Sequence, residues 1–164
     1  MRVPGSCLAN IFYVRSYKDA NRVSEASAGK EVVILGSSFI AMEAAAFLKN
    51  KASSVTVVAR SSVPFASILG DEVGKRIKAL FESKGISFHM NSQVHHFEGE
   101  DEGQGIKNIH LNTGQVLPAQ VCVVGLGIIL CYFILLFILK TNLLAQNNNN
   151  VFLFIISRKH RNGS

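Results

Sequence analysis

The stretch "EVVILGSSFIAMEAAAFLKN", Glu31 to Asn50, constrains the fold of this chain more than any other. Four consecutive aliphatic residues, Val32 to Leu35, stop at Gly36, and the pattern turns helical from Phe39 through Leu48. A strand without polar alternation has to be covered on both faces, which is the situation of a strand inside a parallel sheet. "SSVTVVAR" repeats that pattern, so Glu31 to Arg60 reads as one βαβ unit of about the length such a unit needs.

The flanking segments extend the unit. "NIFYVRS" reads as a strand, and "YKDANRVSEAS" as a helix with Ala20, Val23 and Ala26 along one stripe before Gly29 ends it. Further on, Asp71 is placed to cap a helix in which Val73, Ile77, Leu80 and Phe81 recur at i, i+4, i+7 and i+8. Gly85 is placed to stop that helix, and "ISFHM" alternates as the next strand. Between Gln93 and Gln120, short polar and apolar alternations read as an antiparallel meander, with turns at the acidic Gly-rich stretch and at Thr113-Gly114. "VCVVGLG" is then another doubly buried strand. The expected fold is α/β, a Rossmann-like parallel sheet with an inserted antiparallel β-meander.

Length and charge narrow the functional classes. At 164 residues the chain is one ordinary domain, too short for two full nucleotide-binding domains plus a substrate domain. The segment after Gly127 holds Lys140, Arg158, Lys159 and Arg161 and no acid, leaving 13 basic against 11 acidic side chains in the first 127 residues. A nucleic-acid surface should lie on the folded face, so no nucleic-acid partner is expected. Cys7, Cys122 and Cys131 form no CxxC, which leaves a disulfide framework, a zinc site and a redox dithiol without support; Cys122 reads as a buried, inert thiol. His95 and His96, adjacent in a presumed strand, are expected on opposite faces, unable to share a metal, and read as structural. The first residues, with one Arg and an early Pro-Gly, do not read as a secretory signal.

A dinucleotide-binding turn uses its first glycine for a tight bend, its second for close approach to the pyrophosphate and its third for helix–strand packing. Here those places hold Gly36, Ser38 and Ala41, and the candidate cradle runs Gly36, Ser37, Ser38, Phe39, Ile40, Ala41. Ala41 is an accepted variant. Ser38 is the departure, because its Cβ crowds the pyrophosphate while its hydroxyl can return a hydrogen bond to a phosphate oxygen. Ala59 and Arg60 end the second strand 24 residues beyond Gly36, where a ribose-reading side chain belongs. No carboxylate is there for a ribose 2′-hydroxyl. Arg60 suits a 2′-phosphate and equally suits an exposed strand end, and both readings stay open on sequence alone.

"RVPG", "DANR", "VVILGSSFIAMEAAAFL", "VTVVARSSVPF", "LGDEVGKRIKALFESKGISF" and "LNTGQVLPAQVCVVGLG" together resemble the pyridine-nucleotide domain of FAD-dependent pyridine nucleotide-disulfide oxidoreductases. The resemblance is strongest to apoptosis-inducing factor 3-like and ferredoxin-reductase-like flavoproteins and spans nearly all of residues 2 to 127. It implies a domain that binds NADH or NADPH and delivers a hydride to FAD. It also implies the loop Gly-x-Gly-x-x-Gly/Ala-x-Glu, carried here by Gly36, Ser38, Ala41 and Glu43. By the resemblance Glu43 orients the nicotinamide carboxamide, although an acid in a helix's first turn is favoured by the dipole alone. Gly125 and Gly127 match the family turn beside the cofactor. The family's own FAD motifs, a second Gly-rich loop and a Gly-Asp motif, are absent from this sequence.

The expected organisation is therefore 1–28 as a join out of an FAD domain with a leading helix, 29–127 as the NAD(P)-binding domain, and 128–164 as an apolar, Asn-rich tail foreign to the family. That tail reads as an alternative or read-through C-terminus. The expected function is the NAD(P)H-binding part of an FAD-dependent oxidoreductase, catalytically incomplete by itself, with its electron acceptor unidentified and a cytoplasmic or mitochondrial location implied by the family. The alternative is a membrane-anchored or degenerate nucleotide-binding protein without activity. Val121 to Leu139 is an uncharged apolar run of 19 residues, a spanning candidate that would bring residues 121–139 into membrane contact. If "VCVVGLG" is a strand, Ile128 to Leu139 alone remain, and at 1.5 Å per residue they reach about 18 Å against a hydrocarbon core of about 30 Å.

Overall fold

The computed structural model describes residues 3–14, 16–100 and 105–125. In chain order the elements are β1 (Ile11–Tyr13), α1 (Tyr17–Ala26), β2 (Glu31–Leu35), α2 (Phe39–Leu48), β3 (Ser54–Val58) and α3 (Ala66–Ser83). They continue with β4 (Ser87–His89), β5 (Val94–Gly99), β6 (Ile106–Leu111), β7 (Val116–Pro118) and β8 (Val121–Val124). Five strands form one parallel sheet in the order β1-β8-β2-β3-β4, and β5-β6-β7 form a separate antiparallel sheet.

Alternate residues of the aliphatic strands feed two different cores, which is why their sequences show no polar face. Val32, Ile34, Val55, Val57, Val121 and Val123 face the layer made by Ala20 and Val23 of α1, the alanines of α2 and the inner side of α3. Val33, Leu35, Val58, Cys122 and Val124 face the antiparallel sheet and meet Phe97, Ile106, Ile109 and Leu111. Helices thus cover one side and the meander the other, as the expected fold requires. Cys122 is fully buried, and desolvation drives its thiol pKa far up, so it is chemically silent.

The helix termini follow local chemistry. Ser16 caps α1 in a reciprocal box with Asp19, each side chain bonding the other residue's backbone N–H. Gly85, at φ 80°, ends α3, with its N–H donating to Glu82 O and Ile86 N–H to Phe81 O. Lys51, just beyond the end of α2, donates to Ser24 Oγ of α1 at 2.6 Å and lies over the Phe47 ring.

Three expectations about local detail fail. The expected α3 stripe included Val73 and Leu80, yet these are 45% and 55% exposed. The seam facing the core runs through the buried Gly74 and the partly buried Ile77 and Phe81, and a Cβ on Gly74 would meet Val63 Cγ2 and Pro64 O, so the helix lies closest there. Asp71 is not the cap: a short helical turn from Ala66 breaks at the non-helical Gly70 (φ 77°, ψ 169°), the helix resumes at Asp71, and the Asp71 carboxylate accepts from Ser62 Oγ.

The third failure concerns His95 and His96, whose rings do not point to opposite faces. The β5–β6 register slips between Val94 and His96, so His95 is an extra residue in a β-bulge, and the two imidazoles come within hydrogen-bond distance. Strict alternation holds only where pairing is one to one.

The apolar run Val121 to Leu139 begins in β8, whose four residues are fully enclosed between β1 and β2. Those residues are therefore taken by the sheet; from position 126 the run, like Gly127 and Cys131, lies outside the described residues. Among the described residues no helix is long and apolar enough to cross a membrane.

Candidate functional site

The carboxyl ends of β2, β3 and β8 meet at one edge of the parallel sheet, where open α/β sheets hold ligands. Gly36 leaves β2 at φ 108°, a conformation that favours glycine, while its N–H still donates to Val58 O at 2.8 Å. Gly125 continues from β8 and donates its N–H to Leu35 O at 2.8 Å. The tight turn is thus pinned from both neighbouring strands.

Helix α2 starts directly above. Ser38 is its N-cap: the hydroxyl accepts from Ala41 N–H at 3.4 Å and donates to Gly125 O at 2.8 Å. The hydroxyl proton is therefore already committed to a backbone carbonyl, and Ser38 acts here as a clasp between α2 and β8. Met42 N–H bonds to Ser38 O, so the helical pattern leaves the N–H groups of Phe39 and Ile40 without an intrahelical acceptor. Those donors, at the positive end of the helix dipole, suit an anionic group. Ala41 is fully buried, and a Cβ on Gly125 would stand 2.9 Å from its Cβ, so glycine at 125 sets the approach of helix to strand.

The loop after β3 closes the other side. Ala59 is buried and held by hydrogen bonds to His89 O and from Ser92 N–H, whereas Arg60 is exposed. Ser61 Oγ lies 2.9 Å from Ser37 Oγ, Phe65 N–H donates to Ser37 O, and the rings of Phe65 and Phe39 are 4.5 Å apart. Ser37, Ser61 and Phe65 were not connected by sequence reasoning. The run of hydroxyls in "ARSS" opposite "GSS" is the signal that could have joined them.

Glu43 is the chemically unusual member. It is the fifth residue of α2, beyond the first turn, which contains no acid, so the helix dipole does not explain it. Its Oε1 is buried without a hydrogen-bond partner, and desolvation raises the carboxyl pKa to about 7. A buried, unsatisfied acceptor of this kind is costly unless a ligand completes it. The structure thus brings Gly36 through Ala41, Glu43, Ala59, Arg60 and Gly125 to one sheet edge and its adjoining helix; Gly127 lies outside the described residues.

The model of the pyridine nucleotide-disulphide oxidoreductase family matches residues 1–135. Apoptosis-inducing factor 3 of Homo sapiens is 40% identical over 123 residues, covering 75% of this chain and 20% of that protein. A ferredoxin reductase of Rhodopseudomonas palustris superposes with a TM-score of 0.72 at 25% identity, over 77% of this chain and 31% of that one. An engineered water-forming NADPH oxidase, solved with NADPH, gives 0.69 at 17% identity over 77% of this chain and 28% of its own, a likeness that speaks for the fold. The chain spans about a fifth of the human relative.

Proposed function

The chain belongs to the pyridine nucleotide-disulphide oxidoreductase family, and from that premise we propose that its described residues form the NAD(P)H-binding unit of an FAD-dependent oxidoreductase. The observation that carries this reading is Glu43 Oε1, a buried acceptor with no protein partner on the helix that opens from the glycine turn. A nicotinamide carboxamide offers the N–H donors that would satisfy it. The N–H groups of Phe39 and Ile40 would receive the pyrophosphate, and Gly36 and Gly125 keep the backbone low enough for it to approach. When bound, the dinucleotide supplies the hydride and a flavin accepts it. The flavin is assigned to no residue of this chain, and the final electron acceptor follows from none of them.

Arg60, exposed at the end of β3 with no carboxylate beside it in "VVARSS", favours NADPH over NADH. Support comes from the engineered NADPH oxidase, which carries a Gly-to-Ala change and, eighteen residues on, consecutive changes to Ala, Arg and Ser. Ala41 and the run Ala59, Arg60, Ser61 stand here at the same spacing. A charge-assisted contact from Arg60 to a 2′-phosphate is worth roughly 1.5–3 kcal/mol, on the order of tenfold to a hundredfold in affinity. Calorimetric titration with both cofactors tests the reading, with NADPH the tighter ligand and Arg60→Glu reversing the order. An unchanged ratio in Arg60→Glu removes Arg60 from the site. Failure of the wild-type chain to bind either cofactor favours a scaffold that has lost nucleotide binding.

A further inference from the structure

Residues 94–97, "VHHF", put two imidazoles where regular pairing would allow one. Val94 and Phe97 both pack against the apolar side of the meander, and the bulge therefore turns both intervening histidines outward. The Nδ1 atoms of His95 and His96 lie 2.9 Å apart, with ring planes at 77°. His96 is backed by His110, its direct cross-strand partner, at 4.0 Å between centroids and 15° between planes. His110 Nε2 in turn lies 2.7 Å from Glu98 Oε2, which also accepts from Asn108 Nδ2 at 3.0 Å. His96 is thus backed by the stacked ring of His110, which Glu98 in turn holds, while His95 is exposed.

From this geometry we propose that His95 and His96 chelate a divalent transition-metal ion of tetragonal preference, Cu²⁺ or Ni²⁺, through their Nδ1 atoms, with water completing the coordination. Two nitrogens each about 2.05 Å from one ion lie about 2.9 Å apart when cis at a right angle and about 3.3 Å apart at the tetrahedral angle. The metal-free separation is that of an Nδ1–H···Nδ1 hydrogen bond and shows that the two rings reach one ion; the choice of Cu²⁺ or Ni²⁺ rests on imidazole ligation, for which affinity rises through Ni²⁺ to Cu²⁺. Without metal, one Nδ1–H donates to the other ring's lone pair. Metal binding requires that ring to carry its proton on Nε2 and His95 to rotate so that the two lone pairs converge, with no net loss of a proton between neutral rings. Glu98, acting through His110, is a positioning group that also places a negative charge behind the site. Among the described residues no three His, Cys, Asp or Glu side chains converge on one metal position, so the chelate has two protein ligands. It lies on the solvent face of the antiparallel sheet and is separate from the glycine turn.

The test is titration of the untagged chain with CuSO₄, followed by calorimetry and by electron paramagnetic resonance. The expected result is one equivalent of Cu²⁺ with hyperfine structure from two imidazole nitrogens, weakened tenfold or more by His95→Gln and by His96→Gln and unchanged by His160→Gln. His95 is exposed, so its replacement leaves the sheet intact, which circular dichroism checks. Absence of a one-equivalent phase, or a phase that survives His95→Gln in the folded protein, overturns the proposal.

Discussion

Replacing Gly125 by alanine should unseat the first turn of α2. The added Cβ would stand 2.9 Å from Ala41 Cβ, 3.0 Å from its Cα and 3.2 Å from its N. Ordinary carbon–carbon separations lie at about 3.5–4.0 Å, so the helix must withdraw by roughly half an ångström or more. Nothing soft is available to yield, because Ala41 is fully buried and its N–H is the one that Ser38 caps. Overpacking of this kind costs about 1–3 kcal/mol, and withdrawal also strains the Ser38 Oγ bond to Gly125 O. Ala41→Gly alone should cost about 1 kcal/mol in helix propensity. In the double variant the clash between the two methyl groups disappears while the close approach to the backbone of residue 41 persists. Relief is therefore partial, with a favourable coupling of about 0.5 kcal/mol or more. Urea unfolding of the four proteins measures it. Strict additivity, or a Gly125→Ala protein as stable as the parent, refutes a hard contact between α2 and β8.

Further outcomes can be checked on the same proteins. Glu43, with its folded pKa raised from 4.5 to about 7, contributes stability that is full below about pH 4.5 and lost as pH rises through 7. The full loss is on the order of 3 kcal/mol, and urea melts at pH 5 and pH 8, which span most of it, should show Glu43→Gln abolishing most of the difference. Ser38→Ala should cost about 0.5–2 kcal/mol through the lost cap. Ser38→Gly should cost only a few tenths at the cap and tighten NADPH and NADH alike, which calorimetry decides. Leu80→Ala should change stability by less than about 0.5 kcal/mol, whereas Phe81→Ala should cost roughly 3 kcal/mol, because one side chain faces water and the other the core. The purified chain should be colourless and inert toward artificial electron acceptors with either cofactor; a stoichiometric flavin band surviving gel filtration contradicts this.

The strands and their covered faces were legible because Val32 to Leu35 and Val121 to Val124 carry no polar residue, and only a sheet with two cores accommodates that. The glycine turn was legible for the same local reason, since Gly36 breaks an aliphatic run before a helical pattern. What escaped depends on contacts between distant segments. The Ser38 hydroxyl looked available to a phosphate until Gly125 O, 87 residues away, was found to hold it. The α3 seam was misread because Gly74 has no side chain to register in a hydrophobic pattern, yet it marks the closest approach. The histidine bulge was written in "VHHF", where two core residues stand three apart, but adjacency alone suggested alternation. Glu43 was found through the motif, and its position beyond the first turn of α2 removes the helix-dipole explanation.

The placement of β8 has a consequence for how the molecule is made. The strand enters between β1 and β2, and among the described residues it is the only strand of the sheet with which β1 pairs. On a ribosome adding about 5–20 residues per second, β2 emerges roughly 5–18 seconds before β8. During that interval the flank of β2 that β8 will occupy is an unpaired apolar edge, and β1 has no ladder to join. Nascent chains stalled before Val121 should therefore bind chaperones and be cut by protease at β1, and release past Gly125 should protect both strands in a single step.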